Sequence, residues 1–172
     1  MKNYIFIILL IMSVMTSCYR NSTGDVGSVE EVMDDIVTRL YQTLSPEQLD
    51  TIGSSWIISN LNPDEKLVLA TKYWYFRVNT PVTVSLMRDM DQVNAPFWLG
   101  TSGFIKTDMV VRNMRSTYEV WQKDFRAGWV KLGINGFDKH RPVYFISVGS
   151  QDPDSKLEIT EVFPEDQHLD TM

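Results

Sequence analysis

Few side chains in this sequence could form a reaction centre. Among its 172 residues there are two histidines, His140 and His168, and one cysteine. Neither histidine has a second His or Cys at the spacing of a metal site. The chain also contains no G-x-S-x-G, H-E-x-x-H, Walker-type or G-x-G-x-x-G motif. We therefore expect both histidines to lie in an exposed loop or tail, and we identify no catalytic residue, no metal ligand and no cofactor for this chain.

Two acidic turns are candidate cation sites. Asp89, Asp91 and Asn94 follow a predicted strand and could offer the hard oxygen ligands that Ca²⁺ prefers. The segment lacks the spacing, the glycine and the terminal glutamate of an EF-hand loop. A solvated turn is the simpler interpretation, and it applies equally to Asp152 and Asp154.

Lys139, His140 and Arg141 form a candidate binding loop. These three cationic or titratable side chains follow one another between two predicted strands. Loops held by a rigid scaffold often carry binding residues, so this loop could contact an anion, a carboxylate of another domain or lipid headgroups. A solvated loop without a ligand is the alternative.

Aromatic side chains are numerous, with five Trp, seven Tyr and eight Phe. Trp98, Trp121 and Trp129 are candidates for an exposed aromatic surface on which the rings of a glycan could stack. Aromatic residues on strands more often pack in the core. Because the sequence does not reveal exposure, both interpretations stay open at this point.

Composition limits the class of protein. Lysine and arginine total 16 against 22 acidic residues, which gives a net charge of −6. An acidic chain without a basic stripe argues against a nucleic-acid partner. Apolar residues make up 44% of the chain and aromatic residues 12%, which is enough for a packed core. The single cysteine excludes an internal disulfide.

The N-terminus carries the pattern of an export signal. Lys2 precedes an uncharged apolar run at residues 4–14. As a helix, a run of this length spans roughly 16 Å at about 1.5 Å per residue, too short for the ~30 Å core of a bilayer. It has the length of the apolar region of a secretory signal. We therefore expect residues 1–17 to be a signal peptide.

Cys18 is the candidate lipidation site. Thr16, Ser17 and Cys18 resemble the lipobox of bacterial lipoproteins, in which the cysteine thiol is lipidated and becomes the mature N-terminus. The resemblance implies a lipid anchor in the bacterial cell envelope, and Tyr19 after the cysteine favours the outer membrane. A plain secretory signal with an incidental cysteine is the alternative. Residues 18–27 are mostly small and polar, which predicts a flexible tether.

Residues 28–72 are predicted to form a leader of two or three α-helices. Apolar residues recur with a period of 3.6 over residues 29–44, which predicts one amphipathic helix. Capping boxes are predicted at Ser28, Ser45 and Asn62, because each is followed three residues later by Glu or Gln. At the second and third of these positions a proline follows directly, as suits the first residue of a helix.

Residues 73–163 are predicted to form an antiparallel β-sandwich. Short apolar segments, several of them alternating at period 2, are separated by turn residues, with no helical pattern between them. The predicted strands are 73–78, 81–87, 95–99, 109–113, 117–123, 129–134, 143–148 and 157–162. Strands of this number and spacing indicate a fold of the fibronectin type III or immunoglobulin-like class. Residues 164–172 have no packing signal and are expected to be a tail or a truncated linker.

Several strings along the chain resemble a known family. They are VNTPVTVSLMR at 78–88, PFWL at 96–99, GFIKT at 103–107, YEVWQK at 118–123 and LGINGFD at 132–138. With the capped helices and the lipobox, they are similar to the N-terminal, non-catalytic region of Bacteroidetes-type lipoprotein metallophosphoesterases. These proteins are calcineurin-like and related to purple acid phosphatases. The resemblance covers most of residues 28–165.

The resemblance implies a role beside an enzyme. In that family this region precedes a phosphoesterase domain that holds two divalent metals through G-D-x-H, G-D and G-N-H-[DE] motifs. The first and last of these motifs do not occur in this sequence, so no metal ligand or catalytic residue carries over. We therefore expect a non-catalytic accessory module, held at the membrane by lipid, that positions or docks a phosphoesterase domain or another envelope protein. The rival hypothesis is an envelope lipoprotein whose sandwich binds a glycan or a protein.

Overall fold

The structure is a computed structural model that describes residues 27–138 and 143–162. Within these ranges four helices precede seven strands. The helices are α1 (Val29–Thr43), α2 (Pro46–Thr51), α3 (Ser54–Ser59) and α4 (Pro63–Thr71). The strands are β1 (Trp74–Val78), β2 (Val82–Asp89), β3 (Ile105–Arg112), β4 (Thr117–Phe125), β5 (Gly128–Leu132), β6 (Phe145–Ser150) and β7 (Ile159–Thr160). None of these four helices has the length and apolar character needed to cross a membrane.

The helix starts follow the predicted capping chemistry. At the N-termini of α1, α2 and α4, the side chains of Ser28, Ser45 and Asn62 accept a hydrogen bond from the backbone N–H three residues later. Each box is closed, because the Glu or Gln at that position accepts from the N–H of the capping residue. The three capping boxes are therefore confirmed. The leader has one helix more than expected, since α3 forms in a stretch whose apolar pattern is ambiguous.

Helices α1 and α4 pack against each other around Ile36. Ile36, Leu61, Leu69 and Ile134 form one buried cluster, which joins the helices to the residues that follow β5. Tyr41 belongs to the predicted apolar stripe of α1 but is 72% exposed. The buried face of α1 is therefore narrower than the sequence pattern predicts.

A nearly buried carboxylate ties the same two helices together. Glu65 accepts two hydrogen bonds from the guanidinium of Arg39, at 2.6 and 3.0 Å. Its Oε2 also accepts from the backbone N–H of Asn62 at 2.8 Å, so one side chain serves both the cap of α4 and the contact with α1. Burial raises the pKa of Glu65, but the hydrogen bonds from Arg39 and Asn62 outweigh it, and the pKa lies below its ordinary value of 4.5.

The strands form two antiparallel sheets. The three-stranded sheet has the order β5-β1-β7, and the four-stranded sheet has the order β3-β4-β2-β6. Every pair of neighbouring strands in both sheets is antiparallel. The prediction of a mainly β protein with a helical leader is confirmed at this level.

Side chains of both sheets meet in one core. Phe76 and Val130 from the three-stranded sheet and Val84 and Leu86 from the four-stranded sheet are at most 2% exposed, and all four belong to the same buried cluster. Directly opposite residues on paired strands lie on the same face of a sheet, and successive residues alternate between faces. In each strand, the residues that alternate with these core residues therefore lie on the outer face of their sheet.

Residues 95–99, predicted as a strand, form turns instead. Pro96 has no N–H to donate to a sheet, and the N–H of Leu99 donates back to the Pro96 carbonyl at 2.9 Å. The N–H of Ser102 donates to the Trp98 carbonyl at 2.8 Å. Trp98 and Leu99 are 2% and 0% exposed, so the apolar run is buried without strand pairing.

The outer strands also differ from the prediction. β3 begins at Ile105 rather than at residue 109, and its register with β4 shifts between Lys106 and Val110. Such a bulge interrupts the alternation by which a strand is predicted, which explains the missed start. β7 is reduced to Ile159–Thr160.

One junction joins the helices, both sheets and the turn before β3. Ile134 follows β5, and its N–H donates to the Leu69 carbonyl of α4 at 2.8 Å. Its own carbonyl accepts from the indole N–H of Trp98 at 2.7 Å. The neighbouring carbonyl of Gly133 accepts from the Tyr144 hydroxyl at 2.7 Å. Trp98 and Tyr144 are buried, so breaking these bonds would leave polar groups without water to replace the lost partner.

We expect Gly133→Ala to destabilise the chain by about 2–4 kcal/mol, because it overpacks this junction and stretches its buried hydrogen bonds. A Cβ at position 133 would lie 2.5 Å from the Leu69 carbonyl oxygen and 2.5 Å from Nε1 of Trp98. Denaturant titration measures the free energy of unfolding. Gly149→Ala is the matched control, since a Cβ there meets no atom within 4 Å. Equal losses of stability in the two variants would contradict the close approach.

Candidate functional site

The structure does not bring the three candidate tryptophans together. Trp98 is 2% exposed and packs edge-on against two other aromatic rings, so it is a core residue and not part of an aromatic surface. Trp121 is partly buried on the core-facing side of β4, where its indole N–H donates to Glu119 at 2.8 Å. Trp129 is 42% exposed on β5. Of the three, Trp129 is the most exposed.

Other predicted functional residues lie outside the described residues. They are Cys18, Lys139, His140, Arg141 and His168. The lipidation site and the candidate binding loop therefore stay predictions.

The aspartates of the acidic turns accept hydrogen bonds from groups within the same turns. Asp89 accepts from the N–H of Asp91 at 2.9 Å. Asp152 accepts from the N–H of Asp154 at 3.0 Å and from the hydroxyl of Ser155 at 2.7 Å. Within residues 27–138 and 143–162, no three His, Cys, Asp or Glu side chains converge to hold a metal ion. Asp89 and Asp152 act as turn caps in this structure.

A buried ion pair lies on the core-facing side of the four-stranded sheet. Arg88 on β2 and Glu119 on β4 are directly opposite, and their side chains are 6% and 9% exposed, with Nη1 and Oε1 2.5 Å apart. Glu119 also accepts from the indole of Trp121 at 2.8 Å and from the ammonium of Lys106 at 2.5 Å. The Arg88 guanidinium donates to the carbonyl of Gln92. The pair therefore links three strands to the loop that follows β2.

Glu119 is held in its charged form. Burial raises the pKa of this carboxyl, but the hydrogen bonds from Lys106 and Trp121 and the charge of Arg88 outweigh it, and the pKa lies below its ordinary value of 4.5. A general acid or base needs a pKa near the working pH and access to substrate. Glu119 has neither, so we assign it a structural role.

An apolar groove of about 280 Å³ lies on the helical leader. Its apolar lining consists of Ile36, Leu40, Leu44, Trp56, Ile57 and Leu61. The charged group beside it, Arg39, is already paired with Glu65. The groove therefore offers apolar contact but little that would fix the orientation of a ligand.

An apolar band crosses the outer face of the four-stranded sheet. Val111 on β3 is directly opposite Tyr118 on β4, and the Tyr118 ring contacts the Phe145 ring of β6, with centroids 5.2 Å apart. Met87 on β2 is directly opposite both Val120 and Phe145. Opposite residues share a face, so these five side chains form one row across all four strands. We call this row the apolar band.

The apolar band is open to solvent at its two ends. Val111 and Phe145, on the two edge strands, are 43% and 48% exposed. Ile105 of β3 lies on the same outer face, since it is directly opposite Gln122, and it is 73% exposed. Met109 of β3 is 47% exposed. Between the two ends, Tyr118 and Val120 are 8% and 3% exposed. Exposed apolar side chains grouped on one face can mark a site of interaction.

The sequence contains only a weak signal for the apolar band. Its residues come from four strands that are distant in the chain, and the bulge in β3 interrupts the alternation there. The nearest signal is the apolar run from Met109 to Val111, which a core strand would also show.

The outer face of the three-stranded sheet carries a different set of side chains. Trp129 on β5 and Tyr75 on β1 have ring centroids 5.8 Å apart and planes tilted by 51°. Arg77 is directly opposite Trp129 and pairs with Glu161 at 3.4 Å, and Lys131 is directly opposite Tyr75. We call these five residues the aromatic face.

No protein-family model, no curated protein and no solved structure matches this chain. Among the described residues, the apolar band and the aromatic face offer exposed side chains to a partner.

The buried ion pair predicts a pH dependence of stability. Because the pKa of Glu119 is lowered in the folded chain, its contribution is fully present above about pH 4.5 and is lost as the pH falls through the folded pKa. We expect Glu119→Gln to cost about 3 kcal/mol at pH 7, since it leaves the buried Arg88 without its counter-charge. The difference from the wild type should shrink between pH 5 and pH 3.

Denaturant titrations at each pH measure this difference. Asp34→Asn removes an exposed carboxylate of α1 and is the control, with an expected effect within about 0.5 kcal/mol at pH 7. A loss in Glu119→Gln that stays constant from pH 7 to pH 3 would show that the charge of Glu119 is not its source.

Proposed function

We propose that this chain is a non-catalytic accessory module of a membrane-tethered, metallophosphoesterase-like lipoprotein in the bacterial cell envelope. Its task is to position or dock a phosphoesterase domain that lies outside these residues. The two divalent metals of the reaction belong to that domain. The resemblance to the N-terminal region of such lipoproteins motivates the proposal.

The apolar band is the observation that carries the proposal. Exposed apolar surface costs roughly 25 cal/mol per Å² in water, and contact with another domain removes that cost. Tyr118 and Val120, which are 8% and 3% exposed, join the two exposed ends of the band, so Val111 and Phe145 lie on one face of the sheet and a single partner surface can contact both. Patches of this kind mark contacts between domains and between proteins.

The band suits a folded domain better than an added strand. β3 is an edge strand, but its register shifts between Lys106 and Val110. Such a bulge protects an edge from pairing with another chain. We therefore expect the partner to cover the face of the four-stranded sheet and not to extend the sheet.

The proposed fold class also suits a positioning role. Two antiparallel sheets that share one core support a β-sandwich of the fibronectin type III or immunoglobulin-like type. In such a scaffold the strands hold the sheet faces rigidly. A partner on the apolar band would then have a defined orientation relative to the rest of the chain.

The proposed anchor sets the distance to the membrane. The lipobox resemblance at Cys18 and the tether at residues 18–27 support attachment by lipid at the outer membrane. Ten residues of flexible chain have a root-mean-square length of about 17 Å. The module would therefore stay close to the bilayer and still reorient.

A photo-crosslinking residue at Val111 tests the docking role in cells that express the chain. We expect a crosslink to one discrete partner that carries G-D-x-H and G-N-H-[DE] motifs, because Val111 lies at an open end of the apolar band. Mass spectrometry of the product identifies the partner. Leu67 is the matched control position, since it is 53% exposed and lies on α4, outside the four-stranded sheet.

A substitution within the band gives a second readout. Val111→Lys should lower crosslinking from Met109 by at least about fivefold, because docking would bury the new ammonium group. The partly exposed Val111 should tolerate lysine without unfolding, which thermal denaturation checks. Equal crosslinking from Leu67, or a second copy of this chain as the sole product, would refute the docking role.

Cys18→Ser tests the anchor. We expect the wild-type chain to enter the detergent-rich phase of a two-phase detergent extraction, because acyl chains contribute about 0.8 kcal/mol per buried CH₂. The variant should move to the aqueous phase. Intact-mass measurement should show added acyl mass on the wild type alone. An unmodified wild-type chain in the aqueous phase would instead indicate a plain secretory signal.

A further inference from the structure

The aromatic face lies on the opposite side of the core from the apolar band. Alternate residues of β1 and β5 are buried in the core that both sheets share. Tyr75, Arg77, Trp129 and Lys131 occupy the other positions of the same strands, so their side chains share the outer side of the three-stranded sheet. Contacts at this face would therefore not compete with a partner on the band.

Two neighbouring rings form the centre of the aromatic face. Trp129 is 42% exposed, and its ring centroid lies 5.8 Å from that of the partly exposed Tyr75. Aromatic rings of this size usually become buried when a protein folds. Here Trp129 remains 42% exposed and Tyr75 partly exposed on the outer side of the sheet.

Charged groups frame the two rings. The side chains of Arg77 and Glu161 are 57% and 47% exposed and are joined by one hydrogen bond of 3.4 Å. The guanidinium has five N–H donors and the carboxylate accepts several hydrogen bonds, so both can contact a ligand as well. Lys131, exposed beside Tyr75, adds three donors.

We propose that the aromatic face binds a glycan built of pyranose rings. One side of a pyranose presents C–H bonds, whose slight positive charge is attracted to the negative face of an aromatic ring. The hydroxyls of a pyranose donate to carboxylates and accept from guanidinium and ammonium groups. Tyr75 and Trp129 match the first property, and Arg77, Lys131 and Glu161 match the second. The inference goes beyond the docking role, because it concerns the other sheet.

A membrane surface is the rival ligand, since Trp and Tyr beside basic residues also occur at bilayer interfaces. Glu161 favours the glycan. A carboxylate beside the rings is repelled by anionic headgroups, whereas it accepts hydrogen bonds from sugar hydroxyls. Its partner Arg77 is also balanced by that charge, which weakens attraction to anionic lipid.

A panel of immobilised neutral and acidic pyranose oligosaccharides tests the proposal with the purified full chain. We expect the wild type to bind at least one of them. Trp129→Ala and Tyr75→Ala should each weaken that binding about tenfold or more, because each removes a stacking surface. Trp56→Ala is the matched control, since Trp56 is 39% exposed on α3 and should not affect binding.

A polar variant keeps the test valid if the ring variants unfold. Arg77→Gln retains both rings and an exposed side chain and should weaken binding about threefold or more, because it removes donors to the sugar hydroxyls. Thermal unfolding of every variant separates lost binding from lost structure. Val111→Lys, in the apolar band, should bind the glycan as the wild type does, so the two proposals can fail independently.

Three results would overturn the glycan assignment. One is the absence of binding to every oligosaccharide of the panel. Another is an equal loss of binding in Trp129→Ala and Trp56→Ala. The third is wild-type binding to phosphatidylcholine vesicles, with or without anionic lipid, that depends on Trp129 while no glycan is bound, since this would assign the face to a membrane.

Discussion

The hydrogen bonds around Gly133 and Ile134 hold the helical leader, the turn before β3 and both sheets in one arrangement. The N–H of Ile134 donates to the end of α4, its carbonyl accepts from Trp98, and the Gly133 carbonyl accepts from Tyr144. These groups are buried, so water cannot replace a lost partner. Burial also raises the pKa of Tyr144, which keeps its hydroxyl protonated as a donor at physiological pH. The absence of a side chain at Gly133 allows the close approach on which the junction depends.

The shared core leaves the outer faces of the two sheets for interactions. Apolar side chains of both sheets occupy the interior, and Arg88 and Glu119 form an ion pair on the same side of β2 and β4. The two outer faces differ in chemistry. The apolar band carries aliphatic and aromatic groups and exposes Val111 and Phe145 at its two ends, which favours contact with a protein surface. The aromatic face combines two rings with charged groups, which favours a ligand with both C–H and hydroxyl surfaces. The two proposed contacts therefore use opposite sides of the same core and different chemistry.

Sequence patterns predicted those elements whose causes are local. A capping box involves residues three apart, so Ser28 with Glu31 could be identified without any tertiary contact. β2 alternates regularly and was identified almost to its ends. The pattern failed at residues 95–99, where an apolar run with Pro96 is buried as a turn, and at the start of β3, where a bulge interrupts the alternation. In both places a non-local requirement of packing outweighs the local preference for a regular strand.

The sequence by itself determined the helix starts, the regular strands and the acidic charge, because each depends on composition or on residues a few positions apart. Only the tertiary structure decided that Trp98 is buried and Trp129 open, since chemically identical side chains differ only in what packs over them. It also decided which residues share a surface. Val111, Tyr118 and Phe145, and likewise Tyr75 and Trp129, become neighbours through strand register between distant segments. Register is set by the burial of the opposite face of each sheet, which is a property of the whole core and not of any single segment.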